Sequence, residues 1–203
     1  MGRYPNVLVV HPSVEATSIK ELIALAKAKP GGLNYASGPT GASNHLAAEL
    51  FKSMAGVNIV RIAYKGGGPA LNDVIAGQVQ LLFASTRSVV PYLKSGRLRA
   101  LAVTSAQASP LAPGLPTVAA SGLPGYVSES IGFVLAPAKT PAAIIRRIHE
   151  GIAHALGQSD VKEKLFNIGV EPVTSSPQEL AAEMKADVAR VGKLIRDTGI
   201  KGD

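Results

Sequence analysis

The sequence predicts an α/β fold built on a largely parallel sheet, and three observations carry that prediction. Short runs rich in Val, Ile and Leu alternate with segments of helical periodicity along the chain. The turns leading from strand to helix are dense in Gly, Ser and Thr. With 46% hydrophobic residues over 203 positions, the chain can bury a substantial core as one large domain or two small ones.

The elements follow in order. "NVLVVHP" (6–12) reads as a buried strand ended by Pro12. Ser18 with Glu21 forms a capping-box pattern ahead of a helix over 19–29, stopped by "PGG". "LNYAS" (33–37) is a strand, and "NHLAAELFKSMA" (44–55) a helix closed by Gly56. "VNIVRIAY" (57–64) is a strand, "KGGGP" a turn, and "ALNDVIA" (70–76) a helix closed by Gly77. A strand over 79–85, a short helix over 87–95 and a strand over 99–105 complete the regular part. Such strand–helix repeats imply right-handed crossovers. Residues 105–130, rich in Pro, Gly and Ser, predict a surface excursion, and "IGFVLAP" (131–137) a buried strand. Thr140-Pro141 opens a helix over 142–157, Ser159 another, "VEPVT" (170–174) is a strand, and Ser176-Pro177 starts a long helix ending at Gly199. Tyr35, Tyr64, Phe83 and Phe133 fall in or beside strands and are expected in the core.

Composition narrows the function classes. The net charge is +7, and residues 1–132 hold most of the excess, with 11 Lys+Arg against 5 Asp+Glu. Residues 133–203 are nearly balanced, 10 against 9. That distribution suits an anionic ligand on the first part. The basic residues are scattered and aromatics make up 4%, so nucleic acid is not an expected partner. The absence of cysteine rules out thiol chemistry and disulfides. "MGRYPNVLVVHP" has no signal-peptide pattern, and no apolar run reaches the length of a bilayer span.

Three strand-to-helix turns form the candidate site, because ligands of α/β sheets bind where helix N-termini meet the strand ends. In "ASGPTGASNH" (36–45), Gly38 and Gly41 permit close approach, Thr40 and Ser43 offer hydroxyls, and the following helix presents unpaired N–H groups. "AYKGGGPALND" (63–73) places three glycines before Pro69 as a nest for an anion. Lys65 precedes those glycines and no GK[ST] follows them, so this is not a P-loop. "FASTRSVV" (83–90) adds Ser85, Thr86 and Ser88. A carboxylate satisfies such donors without any arginine. His45, neutral near the first turn of its helix, reads as a donor to a ligand or as an orienting or partly buried histidine; it is not read as catalytic, since "SNH" is no nucleophile elbow and His11, His149 and His154 do not cluster with it. Asp73 complements the dipole of its helix. No catalytic residue, metal or cofactor is expected.

"NVLVVHPS", "LNYASGPTGASNHLAAELFKSMAG", "AYKGGGPALNDVIAGQVQLLF", "LPTVAASGLPGY" and "GFVLAPAKTP" together resemble the Bug/TctC family, the extracytoplasmic receptors of tripartite tricarboxylate transporters. The resemblance implies a type II periplasmic-binding-protein-like fold, with one complete lobe and the C-terminal part of the other. Its divisions would be a crossing strand over 1–11, the second ligand-binding lobe over 12–131, and 132–203 as the returning part of the first lobe. It implies a small organic acid as ligand (a di- or tricarboxylate, an amino acid or an aromatic acid), membrane permease subunits as partners, and a periplasmic location. Without a signal peptide, a natural full-length product of this sequence would be cytoplasmic. Residue by residue, Ser37, Gly38, Thr40, Gly41, Ser43 and His45 match the family's carboxylate loop. Gly67, Gly68, Pro69 and Ala70 match "YKGxGPA", and Ser85 and Thr86 lie where "FDxxPSALP" is common. Here that segment is "FASTRSVVP", with Ala84 for the usual Asp and Arg87 added. The N-terminal part of the family's first lobe has no counterpart, which predicts weak binding and exposed apolar helix faces that favour self-association. The alternatives are a receptor lobe without a transport role, and an enzyme acting on a small phosphorylated or carboxylated substrate.

Overall fold

A nine-residue strand, β1 (Gly2–Val10), organises the sheet. The computed structural model describes residues 2–201. With β2 (Asn34–Ser37), β3 (Val60–Ala63), β4 (Leu81–Ser85) and β5 (Arg99–Val103), β1 forms a path ordered β3-β2-β4-β1-β5. The strand β2 is parallel to β3 and β4, as the strand–helix alternation predicts. The parallel expectation fails at β1, which lies antiparallel between β4 and β5. Its direction is set where it enters, because Gly2–Pro5 pair antiparallel with β6 (Glu129–Gly132) and its first residues with β7 (Glu171–Pro172). The same strand therefore serves two sets of partners, changing over at Asn6, which pairs with Ser85.

Val7–Val10 are fully buried because both faces of the sheet are covered. Leu8 and Val10 meet α1 (Ile19–Ala28) and α2 (Ser43–Ala55), with Tyr35, Phe51, Phe83 and Tyr126 in the same cluster. Val7 and Val9, on the opposite face, pack with α3 (Gly67–Ile75) and α4 (Thr86–Lys94). Phe51 lies edge-on to Tyr126, with ring centroids 6.4 Å apart.

Some local expectations change. Ser18 caps α1 by accepting from the Glu21 N–H, and the Glu21 carboxylate takes the Thr17 N–H and hydroxyl. The segment 105–130 is no mere surface excursion: Val118 and Tyr126 are fully buried, and Val103 bridges Thr117. The predicted buried strand over 131–137 ends at Gly132, and Phe133, Val134 and Leu135 are exposed. Phe133 is therefore not a core residue, and Tyr64 is only partly buried. Thr140 does not cap α5 (Ala142–Gly157); Pro141 holds the cap position. Beyond α6 (Ser159–Asn167), α7 (Pro177–Thr198) opens with the full Ser176–Glu179 capping box. That helix packs against α2 and buries Leu194, whereas α5 and α6 bury no residue. No helix among the described residues is long and apolar enough to cross a membrane.

Three tyrosines tie the fold to alkaline pH. Burial raises the phenol pKa of Tyr126, whose hydroxyl donates to the Ala47 carbonyl at 2.9 Å. Burial and then the Glu49 acceptor raise that of Tyr35, and Tyr64, partly buried and bonded to Asp73, is pushed up to about 12. A raised folded pKa means that the folded state holds its proton longer than the unfolded chain, where tyrosine ionises near ~10. Stability is thus full below pH ~10 and falls as pH rises towards about 12. Denaturation midpoints measured from pH 8 to 12 should drop above ~10, less steeply in Tyr126→Phe; a flat profile contradicts the assignment.

Candidate functional site

Three parallel strands end at the same edge of the sheet. Ser37 is level with Ala63, and Ala36 with Leu82. Each strand feeds a helix: β2 through 38–42 into α2, β3 through 64–66 into α3, and β4 directly into α4. None of the three helices has a side-chain cap. First-turn N–H groups have no intrahelical acceptor, so three donor clusters and three positive dipole ends gather at this edge. They border a cleft of about 380 Å³, within the range that accommodates small organic ligands. Gly38, Ser43, Gly67, Gly68 and Ser85, all predicted, line it. Gly67 and Gly68 are helical rather than part of a loop, and a Cβ at either would meet nothing within 4 Å. The glycines therefore keep the mouth of the cleft open without holding a strained turn.

The other predicted residues have structural partners. Ser37 is fully buried, and its hydroxyl donates to the Gly38 carbonyl at 3.0 Å. His45, also buried, accepts the Gly41 N–H on Nδ1 at 3.1 Å. Because Nδ1 accepts, a neutral ring carries its proton on Nε2. The Gly41 N–H is thus spent on holding the loop, in a turn whose φ of +81° favours glycine. Gly41 faces a separate groove alongside α7. Thr86 is buried and donates to the Pro5 carbonyl at 3.2 Å, and Ala70 belongs to the core. Thr40 accepts from Arg61, and Pro69 is not among the residues lining the cleft. Asp73 accepts from Tyr64.

Sequence reasoning missed three residues, Arg61, Asn44 and Asn6. Arg61 reaches from β3 into the loop, Nε to Ser37 Oγ (2.8 Å), Nη1 to Thr40 Oγ1 (3.0 Å) and Nη2 to the Gly38 carbonyl (3.0 Å). Among the described ion pairs none includes Arg61. A single charge inside the apolar run "VNIVRIAY" was the available signal. Asn44 accepts the Gly38 N–H at 3.2 Å, and Ser88 Oγ bonds the Ser85 carbonyl at 2.8 Å. Asn6, the third, borders the cleft from β1.

A second cavity, about 300 Å³ and apolar, lies between α5 and α7 and is lined by Ile148, Ile152, Leu156 and Leu180 among others. It holds no cluster of main-chain donors at a strand edge, which makes it a poor anion site. Among the described residues no group of three metal-ligating side chains occurs.

The sequence model described as "Tripartite tricarboxylate transporter family receptor" matches residues 1–200. The chain is 36% identical over 94% of its length to a UPF0065 protein in the tcbD-tcbE intergenic region of Pseudomonas sp. (strain P51). It is 35% identical over 99% of its length to protein BugT of Bordetella pertussis. It spans 57% and 62% of the length of these two curated relatives. Among solved structures, R. palustris Rpa4515 with adipate is 38% identical, superposes with a TM-score of 0.84, and is matched over all of this chain and 68% of its own.

Proposed function

This chain belongs to the tripartite tricarboxylate transporter receptor family, and from that premise we propose that it is the ligand-holding part of a solute receptor for a small carboxylate. The observation that carries the reading is the convergence of three uncapped helix N-termini on one cleft. One carboxylate group would accept from first-turn N–H groups of α2 and α3, with Ser43 and Ser85 hydroxyls beside it. Arg61 and His45 act from behind, fixing the 37–41 loop so that the α2 N-terminus it leads into is oriented before the ligand arrives. The Arg61 charge adds a favourable field at this end of the sheet. The residues assigned to contact are Ser43, Gly67, Gly68 and Ser85; Ser37, Gly38, Gly41, His45 and Thr86 serve as their support. Nothing in this arrangement supplies an acid–base pair, so the role is binding and not turnover. The acid bound by Rpa4515 is the natural first probe.

Calorimetric titration of the 203-residue chain with adipate is the test. Saturable one-to-one binding in the micromolar range or weaker is expected, because Ser43, Gly67, Gly68 and Ser85 are all exposed and the cleft is open on one side. Absence of saturable heat with adipate and with other small carboxylates would refute the reading.

A further inference from the structure

We propose that Arg87 is a specificity-determining residue that takes the second acid group of a dicarboxylate whose first group is held in the cleft; the proposal rests on the receptor reading above. The open space does not end at Ser85. A further hollow of about 360 Å³ shares Asn6, Ser43, Ser85 and Ser88 with the cleft, so the two adjoin across a common wall. Gly67 and Gly68 border the cleft only, whereas Arg87 and Gly169 border the second hollow only. A ligand anchored at the α3 terminus and extending past the serines therefore arrives at Arg87.

Among the described residues lining either space, Arg87 alone carries a formal charge, and it takes part in none of the described ion pairs. No carboxylate of these walls competes for it. Its stem is placed by the fold. A Cβ built on Gly169, in the turn before β7, would lie 3.1 Å from Arg87 Cβ and 3.8 Å from its Cδ, so the methylenes run along that glycine at the wall of the second hollow. The residue is exposed, which leaves the guanidinium accessible to a solute. Its position on the helix is electrostatically adverse: Arg87 is the second residue of α4, whose first turn holds no acidic residue, so a cation sits at the positive end of the dipole. A bound anion relieves that opposition and accepts two parallel hydrogen bonds from the planar guanidinium fork. The main-chain donors of α2 and α3 grip one carboxylate and report nothing about the rest of the molecule. A cation further along reads whether a second acid group is present, and so selects a small acid with an anionic group at each end.

Calorimetry of the full chain with adipate and with hexanoate, which has the same carbon skeleton but one carboxylate, tests this. The wild type is expected to bind adipate about three- to tenfold more tightly than hexanoate, the scale of a bidentate ion pair open to solvent. In Arg87→Gln, which keeps donors but loses the charge, that ratio is expected to fall to near one; in Arg87→Lys, which keeps the charge without the fork, it should lie between. An unchanged ratio in Arg87→Gln overturns the assignment. So does an equal loss for both acids, which would make Arg87 a support for the first carboxylate, and so does equal affinity of the wild type for the two. In each of these cases a carboxylate still binds and the receptor reading stands. If the wild type binds neither these acids nor other small carboxylates saturably, the receptor reading fails and the Arg87 assignment fails with it.

Discussion

Gly68→Asp is expected to abolish carboxylate binding while leaving the fold at least as stable as before. Gly68 occupies the second position of α3, its backbone does not need positive φ, and a Cβ there meets no atom within 4 Å. The substitution therefore introduces no clash. An aspartate in the first turn of a helix is favourable by roughly 0.3–1 kcal/mol, and losing a helical glycine adds a similar gain. The same N–H groups that stabilise this side chain are those offered to the ligand, so the protein caps its own helix and expels the external anion. Like charges brought together cost several kcal/mol, which corresponds to a loss of affinity on the order of a hundredfold or more. Adipate titration and thermal melting of the same sample check both halves. Undiminished affinity would show that the α3 terminus is not part of the site.

Arg61→Leu carries the second large effect. Three of the five guanidinium donors tie β3 to the loop between β2 and α2. With leucine there, the Gly38 carbonyl keeps only the Ser37 hydroxyl, and the Thr40 hydroxyl loses a donor. A stability loss of about 1–3 kcal/mol in urea is expected, with adipate affinity down roughly tenfold or more as the loop loses its fixed shape and the local positive charge disappears. Arg61→Lys separates the two causes: it keeps the charge but does not span three acceptors, so it should recover little of the lost affinity. Full affinity in the lysine variant would assign the effect to charge alone, and full affinity in the leucine variant would remove Arg61 from the site.

The parts of the architecture that follow local rules were legible in the sequence. The helix ends at Gly56 and Gly199 adopt the left-handed conformation that glycine was expected to supply, and Ser176–Glu179 forms the box its spacing predicts. The direction of β1 was not legible, because antiparallel placement depends on its pairing with β6 and β7, more than a hundred residues away. The apolar run 131–137 looks like a core strand by composition, yet burial needs a covering layer, which no local pattern reports.

The site was legible as three turns but not as individual roles. Glycines and hydroxyls mark an anion-binding edge, and five of the predicted residues do share one cleft. Which hydroxyls face that cleft is a matter of tertiary satisfaction: Ser37 and Thr86 have the same chemistry as Ser43 and Ser85 but turn inward to main-chain carbonyls. His45 accepts the Gly41 N–H, which that bond withholds from a ligand. Asn6 gave no signal at all, since a polar residue at the head of an apolar strand is ordinary until the fold sets it beside the cleft.

A crystal structure of this chain soaked with adipate would address the anion grip at the sheet edge most directly. Carboxylate oxygens should lie about 2.7–3.2 Å from main-chain N–H groups in the first turns of α2 and α3, beside Ser43 and Gly68. Adipate lodged instead in the apolar groove between α5 and α7, or bound only through surface lysines, would contradict it.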